Sequence, residues 1–139
     1  MPVDDLARSD VVTADPETPV AQLAATMAEE AVGSIVITED DSPVGIVTDR
    51  DLTVRALAEG ADPDGQTAAE VMTEEVQTID RGSGFYQVTD LMSDEGIRRL
   101  PVCDGDDLVG IITADDLTEL LADEQQHLAA VIRAQRPAY

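Results

Sequence analysis

The spacing of apolar positions changes period along the chain, and each change marks an element. Val20, Leu23, Ala24, Met27, Ala28 and Ala31 recur at i, i+3, i+4, i+7, i+8 and i+11. That is one face of an amphipathic helix, predicted to end before Gly33. Upstream, Val11 to Thr13 is a short extended run, and Asp15 to Pro19 carries helix-start chemistry, with Thr18 as cap and Pro19 in the first helical position. Downstream, Ser34–Thr38 and Val44–Thr48 read as two strands joined through Glu39 to Pro43. A helix is expected over 49–58, a loop over 59–65, and a short turn or helix over 67–72. The order then recurs. Val76 to Ile79 starts a strand, and Gly84 to Glu95 a helix with Phe85, Val88 and Met92 inward. Arg98–Cys103 and Leu108–Thr113 form a hairpin around the tight-turn dipeptide Asp104-Gly105. Pro101 inside the first of these strands predicts an edge or a non-bonded ladder position. A long helix follows from about Ala114 to Ala134, striped by Leu117, Leu120, Leu121, Leu128, Val131 and Ile132. That stripe outlasts one helix's share of a core, so its surplus should pack back on the N-terminal segment or make a dimer contact. The leader, Met1 to Asp10, is polar and expected to pack loosely or start a short helix at Val3 to Ala7.

The recurrence is a duplication. Gly45-Ile46-Val47-Thr48-Asp49-Arg50-Asp51-Leu52 returns as Gly110-Ile111-Ile112-Thr113-Ala114-Asp115-Asp116-Leu117. The offset holds without a gap: Val11-Val12-Thr13 matches Val76-Gln77-Thr78, Met27 matches Met92, and Ile35 matches Leu100. Two repeats are too few for an open solenoid, so two halves should face each other across a pseudo-twofold axis. The organisation expected is a first repeat over 1–60 including the leader, a linker over 61–70, and a second repeat over 71–139 with an extended C-terminal helix. The fold class is α+β, with each half ordered β-α-β-β-α. A half of this size is marginal alone, and a shared core makes it stable.

Composition narrows the function classes. Thirty acidic residues oppose eight arginines, with no lysine, for a net charge of −22. Such a chain is unsuited to nonspecific binding of nucleic acid or anionic membrane. Concentrated salt, where the Debye length falls to about 3 Å at 1 M, relieves most of the self-repulsion. Adaptation to a high-salt, cytoplasmic interior is therefore expected, and equal stability in low and multimolar salt would overturn it. The one cysteine, Cys103, sits in an apolar run and reads as a small buried hydrophobe. The one histidine, His127, falls in the late helical pattern. No nucleophile–base pair, His/Cys metal spacing or catalytic glycine loop is present, so catalytic residues and metal ligands are both expected to be none.

The paired Gly-aliphatic-aliphatic-Thr-x-x-Asp stretches, their spacing, and Gly96-Ile97-Arg98-Arg99-Leu100-Pro101-Val102 together resemble the cystathionine-β-synthase (CBS) domain pair, or Bateman module, from Val11 to Leu121. The resemblance implies two β-α-β-β-α repeats with sheets facing and helices outside. It also implies a regulatory module that binds adenosine-containing ligands between the halves, commonly as a homodimer, and signals to a separate protein. Thr48, Asp51, Thr113 and Asp116 are then expected to face phosphate or ribose, and the strand near Thr13 or Thr78 to offer backbone groups to the base. An adenine nucleotide (AMP, ADP or ATP) or S-adenosylmethionine is the ligand class, with no cofactor for catalysis.

The residues give that reading a physical basis. A helix N-terminus attracts phosphate, Thr48 and Thr113 add hydroxyls, and the Asp51 and Asp116 carboxylates suit ribose hydroxyls. Arg98 and Arg99 carry the forked donors that phosphate prefers, which makes the second unit, where the first has Gly33-Ser34, the better phosphate site. Thr-x-x-Asp is equally a capping box, and the two meanings stand side by side. Only Phe85, Tyr86 and Tyr139 are aromatic, so an adenine would lie between aliphatic side chains such as Val12, Ile46 or Ile111. The alternative function is a ligand-free dimerisation and interaction module.

Overall fold

The computed structural model describes residues 1–138; Tyr139 lies outside the described residues. The chain opens with a 3-10 turn at Val3–Asp5. The first half then runs β1 (Thr13–Ala14), α1 (Val20–Glu30), β2 (Ser34–Glu39) and β3 (Ser42–Thr48). It closes with α2 (Asp49–Asp51), which widens into a π-helical segment at Leu52–Leu57. After α3 (Ala68–Val71) the second half runs β4 (Ile79–Asp80), α4 (Phe85–Glu95), β5 (Arg99–Asp104), β6 (Asp107–Thr113) and α5 (Ala114–Gln135).

Each half holds one three-stranded sheet, ordered β1-β2-β3 and β4-β5-β6. The hairpin strands pair antiparallel, and the short opening strand joins parallel on the outside. The sheets meet where β3 lies against β6, and the Leu108 N–H donates to the Asp41 carbonyl at 2.8 Å.

Two apolar cores back the sheets, one per half. Leu23, Met27, Ile35, Ile37 and Val47 build the first, and Val88, Met92, Leu100, Val102, Ile112 and Leu117 the second. Each core is completed by a segment from outside its own sheet. Val3 of the leader is fully buried in the second core, whereas Ala68 and Val71 of α3 are fully buried in the first. Of the two expectations for the leader, loose packing or a short helix, the structure has the short helix, with Val3 buried. Backbone bridges fix the exchange as a symmetric pair, Arg8 with Ile111 and Thr73 with Ile46. A second pair joins Pro2 to Gly84 and Thr67 to Pro19. The repeat thus extends through the leader, and residues 61–70, read as a linker, end in core.

This crossing explains the glycine of each repeated stretch. A Cβ on Gly110 would stand 2.9 Å from the Arg8 carbonyl oxygen, and one on Gly45 would meet Met72 and the Thr73 carbonyl. Glycine is required there because another backbone passes over the strand.

Several local expectations change. Pro19, not Thr18, is the N-cap residue of α1, and the Thr18 hydroxyl donates to Asp15 Oδ1 at 3.3 Å. The helix ends at Glu30 with Ala31 in the left-handed region at φ 54°, two residues before Gly33. The β2–β3 connection is a two-residue turn whose Asp40 and Asp41 both have positive φ. Pro101 is not on an edge, because β5 is the middle strand. Its counterpart Val36 donates its N–H to the Val12 carbonyl. Pro101 has no N–H to give, and β4 begins pairing only at Ile79 with Val102, so the proline sits just outside that ladder. Cys103 is buried as expected, and burial raises its thiol pKa against the lowering influence of a hydrogen bond with Thr78.

Candidate functional site

A cleft of about 740 Å³ opens between the halves, within the roughly 300–1,000 Å³ range of small-molecule sites. One wall is the lead-in to β1, Val11 to Thr13, with the α1–β2 junction at Val32, Gly33 and Ser34. The facing wall is Ile111 and Thr113 of β6, with Asp115 from the first turn of α5. Val12 and Ile111 place an aliphatic side chain on each wall. Arg8 and Arg99 are the cations of the lining, and Asp10 and Glu30 stand with Asp115 as its acids.

Arg99 reaches this cleft because it opens β5 directly across from Thr113, its partner in the register. Gly33 leaves room for it: a Cβ there would lie 3.3 Å from the Arg99 Nη2. Arg99 thus shares one cleft with the second unit's Thr113, and the first unit's Val12, Thr13 and Ser34 wall that same cleft. Arg98 is not among the lining residues; it is exposed and bonded at 2.8 Å to Oδ1 of Asp115, which is. Among the described residues Arg99 enters no salt bridge.

Both Thr-x-x-Asp stretches form capping boxes. Thr113 Oγ1 accepts the Asp116 N–H at 3.1 Å, and Asp116 Oδ2 accepts the Thr113 N–H at 3.2 Å. The Thr48–Asp51 pair repeats this at 3.2 and 2.9 Å. Capping does not exhaust the groups, since an accepting threonine hydroxyl keeps its proton to donate. What separates the two aspartates is the second carboxylate oxygen. Asp116 Oδ1 receives Arg8 Nε at 3.2 Å and Nη2 at 2.9 Å, whereas Asp51 Oδ1 has only Arg55 of its own helix, at 3.7 Å. Burial alone would raise the Asp116 pKa. Hydrogen bonds from Arg8 and Thr113 outweigh it and hold the carboxyl below its ordinary value. The Arg8 guanidinium is correspondingly pushed up, chiefly by its hydrogen bond to Asp116.

Of the residues expected from sequence, Thr13, Arg99 and Thr113 line one cleft, and Asp116 adjoins it through Thr113 and Arg8. The pseudo-twofold relation sets Thr48, Asp51 and Thr78 at the equivalent opposite corner, where Thr78 is exposed just before β4. Arg8 was not anticipated. Its signal was present in the alignment of Val3, Leu6 and Ala7 with Ala68, Val71 and Met72, which carries the leader into the repeat.

The CBS-domain family description matches residues 3–57 and 68–123, most of the chain. The chain belongs to the CBS-domain family. It is 38% identical over 120 residues to an uncharacterised protein of Methanopyrus kandleri, covering 85% of this chain and 61% of that protein's length. It is 35% identical over 116 residues to the CBS domain-containing protein YhcV of Bacillus subtilis, covering 83% and 81%. Among solved structures, the CBS domain pair of protein MJ0100 in complex with 5'-methylthioadenosine and S-adenosyl-L-methionine superposes with a TM-score of 0.80 at 26% identity, covering 89% of this chain and 98% of that one. Hypoxic Response Protein I with two coordinated zinc ions gives 0.79 at 28%, covering 86% and 98%. The described residues of this chain hold no group of three or more His, Cys, Asp or Glu able to hold a metal ion. Among the described residues no helix is long and apolar enough to cross a membrane.

Proposed function

We propose that this chain is a regulatory module that binds an adenosine-containing ligand between its repeats and signals to a separate protein. The observation that carries the reading is the cleft itself. A ligand-sized opening has aliphatic walls at Val12 and Ile111, a threonine hydroxyl at Thr113, and an arginine, Arg99, that enters no salt bridge among the described residues. Adenine fits between the two aliphatic walls, the ribose lies toward the α5 corner at Thr113 and Asp116, and a phosphate lies toward Arg99. The S-adenosylmethionine and methylthioadenosine bound by the MJ0100 pair support an adenosine-type ligand. The role is regulatory and not catalytic. Calorimetry with AMP, ADP, ATP and S-adenosylmethionine in multimolar salt tests the reading; saturable heat from at least one is expected, and none from any of the four would overturn it.

One observation favours the second reading, a module that works by association alone. Leu121, Leu128, Val131 and Ile132 are more than half exposed along α5, so the stripe does not pack back on the leader. The first half of α5 is acidic, at Asp115, Asp116, Glu119 and Asp123, and Arg133 and Arg136 stand at its end. Antiparallel pairing with a second copy covers the stripe and brings those arginines toward the partner's acids. Sedimentation of the full chain tests this: a dimer that Leu128→Glu dissociates is expected, and a monomeric wild-type chain would overturn it.

A further inference from the structure

The leader's Arg8 occupies the one carboxylate that the ribose needs. A vicinal diol is held by donating both O–H groups to a single carboxylate. In Asp116, Oδ2 already accepts the Thr113 N–H at 3.2 Å, and Oδ1 accepts Arg8 Nε at 3.2 Å and Nη2 at 2.9 Å. Three of the roughly four lone-pair positions of the carboxylate are therefore filled by the chain itself. The cap bond belongs to the helix and stays. The Arg8 pair is the one that can leave, because its side chain is 65% exposed and exposed ion pairs are weak.

We propose that Arg8 is an internal competitor for Asp116, displaced by the ligand's hydroxyls and then retained at the cleft mouth to meet an anionic group. This inference rests on the adenosine-ligand reading above. The retention follows from the backbone: the Arg8 N–H donates to the Ile111 carbonyl at 2.9 Å, and the Arg8 carbonyl accepts from the Ile111 N–H at the same distance. Ile111 is itself a cleft wall, so the freed guanidinium cannot travel far. It joins Arg99, the other cation of the lining, and the pair selects for phosphorylated ligands over the bare nucleoside. The device exists at only one of the two corners. Thr73 holds Arg8's place at the other corner, bridged to Ile46, and brings no charge to Asp51.

The test compares adenosine and AMP binding to the wild-type chain and to Arg8→Ala by calorimetry in fixed high salt. Removing the competitor should raise adenosine affinity about threefold to fivefold. Because AMP also loses a phosphate partner, the AMP-to-adenosine affinity ratio should fall by at least about threefold. Binding by both proteins with unchanged adenosine affinity and an unchanged ratio overturns the competitor while leaving the nucleotide reading intact. No heat from either ligand with either protein overturns both. A second readout needs no variant: the Arg8 Nε–H NMR signal of the wild-type chain should move when adenosine saturates the cleft. A signal that stays in place while adenosine binds also overturns the proposal.

Discussion

The two strand-into-helix corners carry the same threonine, the same aspartate and the same capping box, and yet they are not the same site. At the α2 corner the aspartate's spare oxygen faces a distant arginine on its own helix. At the α5 corner it is held by an arginine from the opposite end of the chain, at 2.9 Å. The helices beyond also diverge: α2 widens at once into a π-helical segment, and α5 stays α-helical for 22 residues. The lesson is that duplication preserves the cap, which is a local interaction, and leaves the surroundings free to change. Those surroundings come from other segments: Arg8 and Arg99 reach the α5 corner, whereas Thr73 takes the place of Arg8 at the α2 corner.

The largest contrast should come from the two glycines under the crossing backbones. Gly110→Ala forces the rigid Arg8 carbonyl to move and should cost about 2–3 kcal/mol of stability. At Gly45 the closest atoms belong to the flexible Met72 side chain, so Gly45→Ala should cost about 1–2 kcal/mol. Chemical unfolding in multimolar salt measures both, and equal losses would remove this difference between the halves. Next in size, Asp116→Ala should weaken nucleotide binding at least tenfold, about 1.4 kcal/mol, while Asp51→Ala leaves the Thr113 cleft's affinity unchanged. Each should also lose a cap, about 0.5–2 kcal/mol by thermal unfolding. Stability loss without any change of affinity at Asp116 would reduce that corner to a cap as well.

The ends of α1 and α4 make a smaller contrast. Both stop on a left-handed residue, Ala31 at φ 54° and Gly96 at φ 65°. Ala31→Gly should stabilise by about 0.5 kcal/mol, and Gly96→Ala should destabilise by about 1 kcal/mol. Opposite shifts in melting temperature are the expected outcome. The smallest effect is the pH dependence of the Arg8–Asp116 pair. The Asp116 pKa is depressed in the folded chain, so the pair contributes above the ordinary carboxylate value of 3.8 and is lost as pH falls through the folded value. With Arg8 so exposed the contribution is under about 1 kcal/mol. Wild type and Arg8→Ala should therefore differ slightly in stability at pH 7 and converge in acid, as read by denaturant midpoints.

Much of the fold was legible because it is written in short-range patterns. The α1 stripe from Val20 to Met27, the strands of both hairpins and the long helix from Ala114 appear where the periods place them. The threonine–aspartate pairs were legible as caps or contacts for the same reason, since both partners lie within one turn. Pro19 and Ala31 were misplaced by a residue or two because helix ends depend on which backbone groups happen to find partners outside the helix. Here the Val20 and Ala21 N–H groups find the carbonyls of Gln66 and Pro63.

By itself the sequence determined the duplicated β-α-β-β-α units, the acidic surface and the paired corners, since each follows from neighbouring residues or from a fixed 65-residue offset. Only the tertiary structure decided that the leader completes the second core and α3 the first. That exchange brings Arg8 to Asp116 across 108 residues of chain, and the packing of the two halves sets Arg99 and Thr13 in one cleft. Periodicity reports which face of an element is buried. It carries no information about which distant backbone will cross that face, and at this cleft the crossing backbone supplies the charge.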